Sequence, residues 1–145
     1  MNDKIKEILS KYKTIAMVGV SKDEKKTSTI VMKYMQKYGF KVIPINPSAK
    51  GQTILGEEVY EKLEDIKIPI DIVDVFRPSV EATKYAEESV KIGAKVLWLQ
   101  LGIKSFEAKE LVENNNIEYI ENRCTKMEYQ KLFLNINPAF PVLLD

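Results

Sequence analysis

The sequence predicts an α/β protein, a doubly wound parallel sheet of five strands in the order 3-2-1-4-5 with helices on both faces. Three observations carry that expectation. Apolar runs alternate with segments of helical period five times along the chain. Several of these runs are continuously apolar, as strands buried on both faces are. Right-handed crossovers then make 3-2-1-4-5 the natural order. The 145 residues are expected to form one domain, 1–145, with an apolar C-terminal tail over 134–145.

Asp3 is expected to cap a first helix whose Ile5, Ile8, Leu9 and Tyr12 share one face. Ile15-Ala16-Met17-Val18 forms the first strand and runs into Gly19, Val20 and Ser21. The polar loop Lys22-Asp23-Glu24-Lys25-Lys26-Thr27-Ser28 follows, with Ser and Thr where a helix N-cap belongs. Ile30, Val31, Tyr34, Met35 and Tyr38 mark the inner face of that helix, and Gly39 suits a left-handed residue after its end. Phe40 to Ile45 is the second strand; Pro44 has no N–H and suits an edge or a strand end. After the turn-rich Asn46 to Gly51 and a short extended piece at Thr53 to Gly56, Val59, Leu63 and Ile66 suggest a helix from Glu57 to Asp65. Ile70 to Phe76 is the third strand, stopped by Arg77-Pro78. Ser79 is expected to cap a helix with Val80, Thr83, Ala86 and Val90 inward, closed by Gly93. Lys95 to Leu101 is the fourth strand, ended by Gly102. Ser105 caps the next helix, which carries Ala108, Leu111 and Val112 and breaks at Asn114-Asn115-Asn116. Ile117 to Ile120 is the fifth strand, and Cys124 to Phe133 the last helix.

The chain is 45% hydrophobic and 30% charged, as globular proteins are, and its formal charge of +1 gives no case for general nucleic-acid or membrane binding. No apolar run is long enough to span a bilayer, and the charged N-terminus lacks a signal-peptide core, so a cytoplasmic location is expected. The single cysteine, Cys124, excludes an internal disulfide and a cysteine-rich zinc site. With no histidine, the commonest general base, the Ser-His and Cys-His dyads and the usual transition-metal ligand are all absent. No catalytic residue and no metal ligand is assigned.

In such sheets ligands bind beyond the carboxyl ends of the strands. The segments that follow the strands hold Lys22, Lys25, Lys26, Lys50, Arg77 and Arg123, against only Asp23 and Glu24. This rim fits an anionic ligand, with phosphate at the amides of the helix that follows Ser28. A dinucleotide fingerprint is lacking: of its glycines only Gly19 is present, and the second strand ends in Asn46-Pro47 with no carboxylate. A Walker A loop is absent as well. Val18-Gly19-Val20-Ser21 is no nucleophile elbow, since neither the following glycine nor a histidine base exists.

Val18-Gly19-Val20-Ser21 with Lys26 and Ser28, Val42 to Pro47, Ile54-Leu55-Gly56, Asp71 to Arg77, Gly93 to Gly102 and Asn122-Arg123-Cys124 together resemble the small stand-alone CoA-binding proteins. These are similar to the CoA-binding N-terminal domain of the succinyl-CoA synthetase alpha subunit. The likeness runs from about Thr14 to Tyr129. It implies a Rossmann-like fold that holds coenzyme A across the strand ends, with no established catalytic activity of its own. It gives the phosphates to Gly19, Val20, Ser21 and the loop Lys22, Lys25, Lys26, Thr27 and Ser28. It gives the adenosine end and its 3′-phosphate to Asn46, Pro47 and Lys50. Val75, Phe76, Arg77 and the adjoining Pro78 would flank adenine or pyrophosphate, and Trp98, Gln100 and Gly102 would wall the pantetheine side. The chain departs from the family at Thr27, commonly proline, and at Tyr129, often histidine.

The expected function is therefore binding of coenzyme A or an acyl-CoA as a non-catalytic carrier, sensor or accessory protein, with a homo-oligomer or a protein partner left open. The alternatives are an NAD(P)-binding oxidoreductase, and an interaction subunit with a vestigial nucleotide pocket docking through Ile136, Phe140, Val142, Leu143 and Leu144. Cys124 has two readings as well: an inert buried thiol, or a thiolate activated by Arg123 that forms a mixed disulfide with CoA.

Overall fold

A computed structural model describes residues 1–138. Its helices are α1 (Asn2–Lys11), α2 (Thr27–Lys37), α3 (Ala82–Ile92), α4 (Phe106–Glu113) and α5 (Thr125–Phe133). Its strands are β1 (Thr14–Val18), β2 (Lys41–Ile45), β3 (Thr53–Ile54), β4 (Glu57–Glu58), β5 (Ile72–Val75), β6 (Val96–Leu99) and β7 (Glu118–Ile120). The expected α/β architecture is present, and so is the parallel sheet of five strands. Phe140, Val142, Leu143 and Leu144 of the expected apolar tail lie outside the described residues.

The order of the sheet is β2-β1-β5-β6-β7, which counts as 2-1-3-4-5 in the five main strands and corrects the expected 3-2-1-4-5. The third main strand, β5, lies between β1 and β6, pairing Ile72 with both Ile15 and Val96. Pro44 supplies a physical reason. Lys41 donates its N–H to Lys13 O on the β1 side, so by alternation Pro44 faces the other way. In the interior of the sheet that outward side would need a donor, which proline lacks. At the edge only its carbonyl is needed, and it accepts from Tyr60 N–H at 3.1 Å.

Each strand distributes its side chains to two cores. Ile15 and Met17 pack with Ile5, Ile8 and Leu9 of α1, Met32 and Met35 of α2, and partly buried Met127 and Tyr129 of α5. Ala16 and Val18 face the opposite way, with Val73, Leu97, Ala86 of α3 and Ala108 of α4. Burying a large aliphatic side chain stabilises by about 1.5–3 kcal/mol, so these two faces supply most of the drive to fold. Trp98 is fully buried in the first core and its Nε1–H donates to Arg123 O at 2.8 Å. It is a core residue and does not wall a ligand site.

Four local expectations change. Met1, not Asp3, is the N-cap of α1; Asp3 lies in its first turn, where it favours the helix dipole. The expected helix from Glu57 to Asp65 is instead the β3–β4 hairpin followed by a 3-10 turn at Leu63–Asp65. Ile54 pairs with Glu57 across Leu55 and Gly56, whose φ values of 49° and 83° are those of a type I′ turn. The Ser79 hydroxyl does not cap α3 but accepts from Lys104 N–H at 3.0 Å. Val80 is 88% exposed, whereas Ala86 and the partly buried Val90 face inward as expected, joined by Ala82, Tyr85 and Ser89. Gly39 and Gly93 do take the left-handed conformation, and Ser105 does cap α4 through Ala108 N–H at 3.1 Å.

Candidate functional site

The chain leaves β1 toward β2 on one side, then crosses back to build β5, β6 and β7 on the other. The sheet thus splits at the carboxyl ends of β1 and β5, the position that binds ligands in doubly wound folds. A cleft of about 460 Å³ opens there. It gathers Gly19 and Ser21 after β1, Asn46, Pro47 and Ser48 after β2, and Arg77 after β5. Five of these six come from the expected site. A hollow of about 480 Å³ with Lys4, Lys104, Lys109 and Arg123 lies at the β7 edge, away from the split.

Gly19 sets how closely the two strand ends meet. It has φ of +89°, and a Cβ there would lie 2.9 Å from Phe76 O and 3.0 Å from Arg77 Cδ. No side chain fits, so the backbone after β1 passes directly beneath Arg77.

The loop that follows is built from its own hydroxyls. Ser21 N–H donates to Ser28 Oγ at 3.1 Å, and Thr29 Oγ1–H donates to Ser21 O at 2.6 Å. Asp23 N–H donates to Ser21 Oγ, and Lys25 N–H to Asp23 Oδ1. Ser28 and Thr29 therefore brace the loop rather than cap α2, which begins after Lys26 with no side-chain cap and no acidic residue in its first turn. That end carries a positive partial charge suited to an anion. Lys22, Lys25 and Lys26 are exposed around it and Thr27 half-buried, while Lys22 Nζ donates to Gln52 Oε1 at 2.9 Å.

Asn46 is also a brace. Its Nδ2 donates to Val20 O at 2.8 Å, and its Oδ1 accepts from the Ser48 N–H and hydroxyl at 3.0 and 2.8 Å. Arg77 carries the strongest charge contact in the cleft. Its Nε and Nη2 donate to Glu81 Oε1 and Oε2 at 3.1 and 2.8 Å, a bidentate pair one turn apart. Arg77 raises its own affinity for a proton through that bond, and holds the Glu81 carboxyl below the usual range.

Other expected residues lie apart from the cleft. Val20 and Val75 are buried, so only their backbone can reach a ligand; Phe76 packs partly on the first core, and Pro78 is exposed. Lys50 pairs with Glu61 at 3.4 Å. Gly102 is exposed at the end of β6 and its N–H donates to Asn122 Oδ1 at 2.8 Å. Gln100 is buried, with Nε2 donating to Asp74 Oδ1 at 2.6 Å and to Thr125 Oγ1 at 3.2 Å. Conversely, Ser48, Glu81, Lys84 and Tyr85 line the cleft without having been expected. Reading only what directly follows each strand stops at Pro78. The signal was available in the steps of four, three and one from Arg77 to 81, 84 and 85, the spacing of one helical face.

Beneath the rim, Asp74 is wholly buried, and burial pushes its carboxyl up to about 7 against the bonds from Gln100 and Thr125. Cys124 is buried too, and burial pushes its thiol up to about 11. That corrects the reading of Cys124 as an activated thiolate, because a reactive cysteine needs a lowered pKa and access.

Residues 13–130 match a family described as a CoA binding domain. The chain is 38% identical over 125 residues to the uncharacterized protein YneT of Bacillus subtilis, covering 86% of this chain and 91% of that protein. It is 29% identical over 140 residues to the ADP-forming acetate–CoA ligase of Methanocaldococcus jannaschii, covering 91% of this chain but only 19% of the ligase. Among solved structures, the cell-free ID.343 protein of Thermus thermophilus is similar at a TM-score of 0.87 and 33% identity, covering 92% of this chain and 99% of that one.

Proposed function

Because this chain belongs to the CoA-binding domain family, we propose that it binds coenzyme A or an acyl-CoA at the split between β1 and β5, as a non-catalytic carrier, sensor or accessory protein. The observation that carries the reading is one cleft lined by Gly19, Ser21, Asn46, Pro47 and Arg77, drawn from three strand ends. The donor set fits the ligand. Pyrophosphate would take the guanidinium of Arg77 and the uncapped start of α2, with Lys22, Lys25 and Lys26 adding mobile positive charge. Pro47 offers an apolar edge for adenine, and Lys50 a charge for the 3′-phosphate. Asn46 lines the cleft at the adenosine end and also ties the end of β2 to the loop after β1. The pantetheine arm would run from the cleft toward the carboxyl end of β6, where Gly102 is exposed and Gln100 is held by Asp74 and Thr125.

The chemistry of the cleft favours binding over turnover. Its titratable side chains are Arg77, Glu81, Lys84 and Tyr85. Glu81 is engaged by Arg77, and burial raises the Tyr85 phenol further above neutral pH. The acetate–CoA ligase, of which this chain spans about a fifth, joins a similar segment to much more protein. A partner chain would supply chemistry here in the same way.

Isothermal titration with CoA, acetyl-CoA, NAD, NADP and ATP at two salt concentrations tests the reading. CoA species should bind selectively and more weakly at high salt. Arg77→Ala should weaken them by about tenfold, the loss of one charge-assisted bidentate contact. Preference for NAD or NADP, or no binding of any ligand, would overturn it.

A further inference from the structure

Glu81 stands at odds with an anion site: it places a carboxylate in the cleft and occupies the Nε–Nη2 edge of the guanidinium, the fork a phosphate would take. A carboxylate and a phosphate present the same pair of oxygens to an arginine fork. Arg77 is fixed over Gly19, with its Cδ close to where that residue's Cβ would be, so its guanidinium is already at the mouth of the loop after β1. We propose, resting on the site assigned above, that Glu81 is an internal stand-in for the ligand's phosphate. It holds Arg77 ready, competes with the incoming anion, and passes to Lys84 when the phosphate takes its place.

The exchange is cheap. Side-chain exposures of 46% and 31% leave both partners in contact with water, and such pairs contribute little to stability. Lys84, in the first turn of α3, lies three residues beyond Glu81, lines the same cleft, and already draws the Glu81 carboxyl down. The charged groups that face Glu81 are therefore Arg77, from the loop after β5, and Lys84, from α3; the Tyr85 phenol is also near. The competition sets specificity. A singly charged carboxylate merely replaces one carboxylate by another, whereas a pyrophosphate or phosphate monoester brings more charge to Arg77. Glu81 is thus a specificity-determining residue that excludes weakly charged anions.

Binding of CoA and of inorganic pyrophosphate to wild type, Glu81→Gln and Glu88→Gln is the test. Glu88 lines a different hollow with Lys62, Glu64 and Lys91, so its substitution removes the same charge elsewhere. Glu81→Gln should bind both ligands about three- to tenfold more tightly, the size of one nearby like charge removed at a solvated site, and Glu88→Gln should match wild type. The Glu81→Gln advantage should shrink toward one as pH falls and the wild-type carboxyl takes up a proton. In the Glu81→Gln background, Lys84→Gln should cost less affinity than in wild type. Wild type binding CoA while Glu81→Gln binds it equally or more weakly overturns the stand-in role alone. Failure of every protein to bind CoA overturns the site itself.

Discussion

Asp74 is the residue whose burial most changes how the molecule responds to pH. In the unfolded chain its carboxyl titrates in the ordinary range near 3.8, and in the fold it holds its proton to about 7. Between these values the folded state binds the extra proton, so stability is greatest below the lower value and falls as pH rises through the window. Above pH 7 the penalty is complete. Asp74→Asn should remove it, since the amide oxygen still accepts from Gln100 and the amide nitrogen can donate to Thr125 Oγ1. The variant should gain roughly 2–4 kcal/mol at pH 8, with little change at pH 4. Urea unfolding of both proteins from pH 4 to 8 checks this, and parallel stability profiles would refute it. Periodicity could not have found this feature. Asp74 sits in an apolar run, and its meaning depends on Gln100 and Thr125, which the fold brings from 26 and 51 residues away.

At the scale of elements, the helices and strands with strong periodicity were legible, and the errors fall where two local signals compete. Val59, Leu63 and Ile66 have helical spacing, but Leu55-Gly56 turns the chain back and commits Glu57 and Glu58 to a hairpin. Gly56→Ala should expose that dependence. Nothing lies within 4 Å of the added methyl group, so its cost comes from the positive φ alone, about 1–2 kcal/mol. Thermal unfolding should show that loss with the CoA affinity unchanged; an unchanged midpoint would show that the hairpin does not depend on its turn. Ser79 misled for a similar reason. A serine before a helix reads as a cap, yet its hydroxyl serves Lys104, whose nearness is a tertiary fact. The candidate site was legible in part for the same reason. Gly19, Ser21 and Arg77 are marked by their position after strands, whereas Glu81, Lys84 and Tyr85 join them only because α3 folds back over the cleft.

For the whole molecule, the parallel sheet followed from composition along the chain, but its order depended on which strand could tolerate an edge, and Pro44 carried that information without being decisive alone. The order has a dynamic counterpart. Amide exchange should be slowest in β1, β5 and β6, which are paired on both sides, and fastest in the two-residue strands β3 and β4. Uniform protection across all seven strands would contradict the assigned order. The edges themselves have a further meaning for life in a crowded cell. A strand with a free row of backbone groups invites other chains to add to it and seed aggregates. Along the outer side of β2, Pro44 withholds one donor, while Tyr60 takes the Pro44 carbonyl and offers its own carbonyl to Asn46 N–H. At the opposite edge β7 is only three residues long and begins with Glu118 beside Lys4. The same proline that suits β2 to the edge of the sheet thus helps to keep one copy of the sheet from recruiting the next.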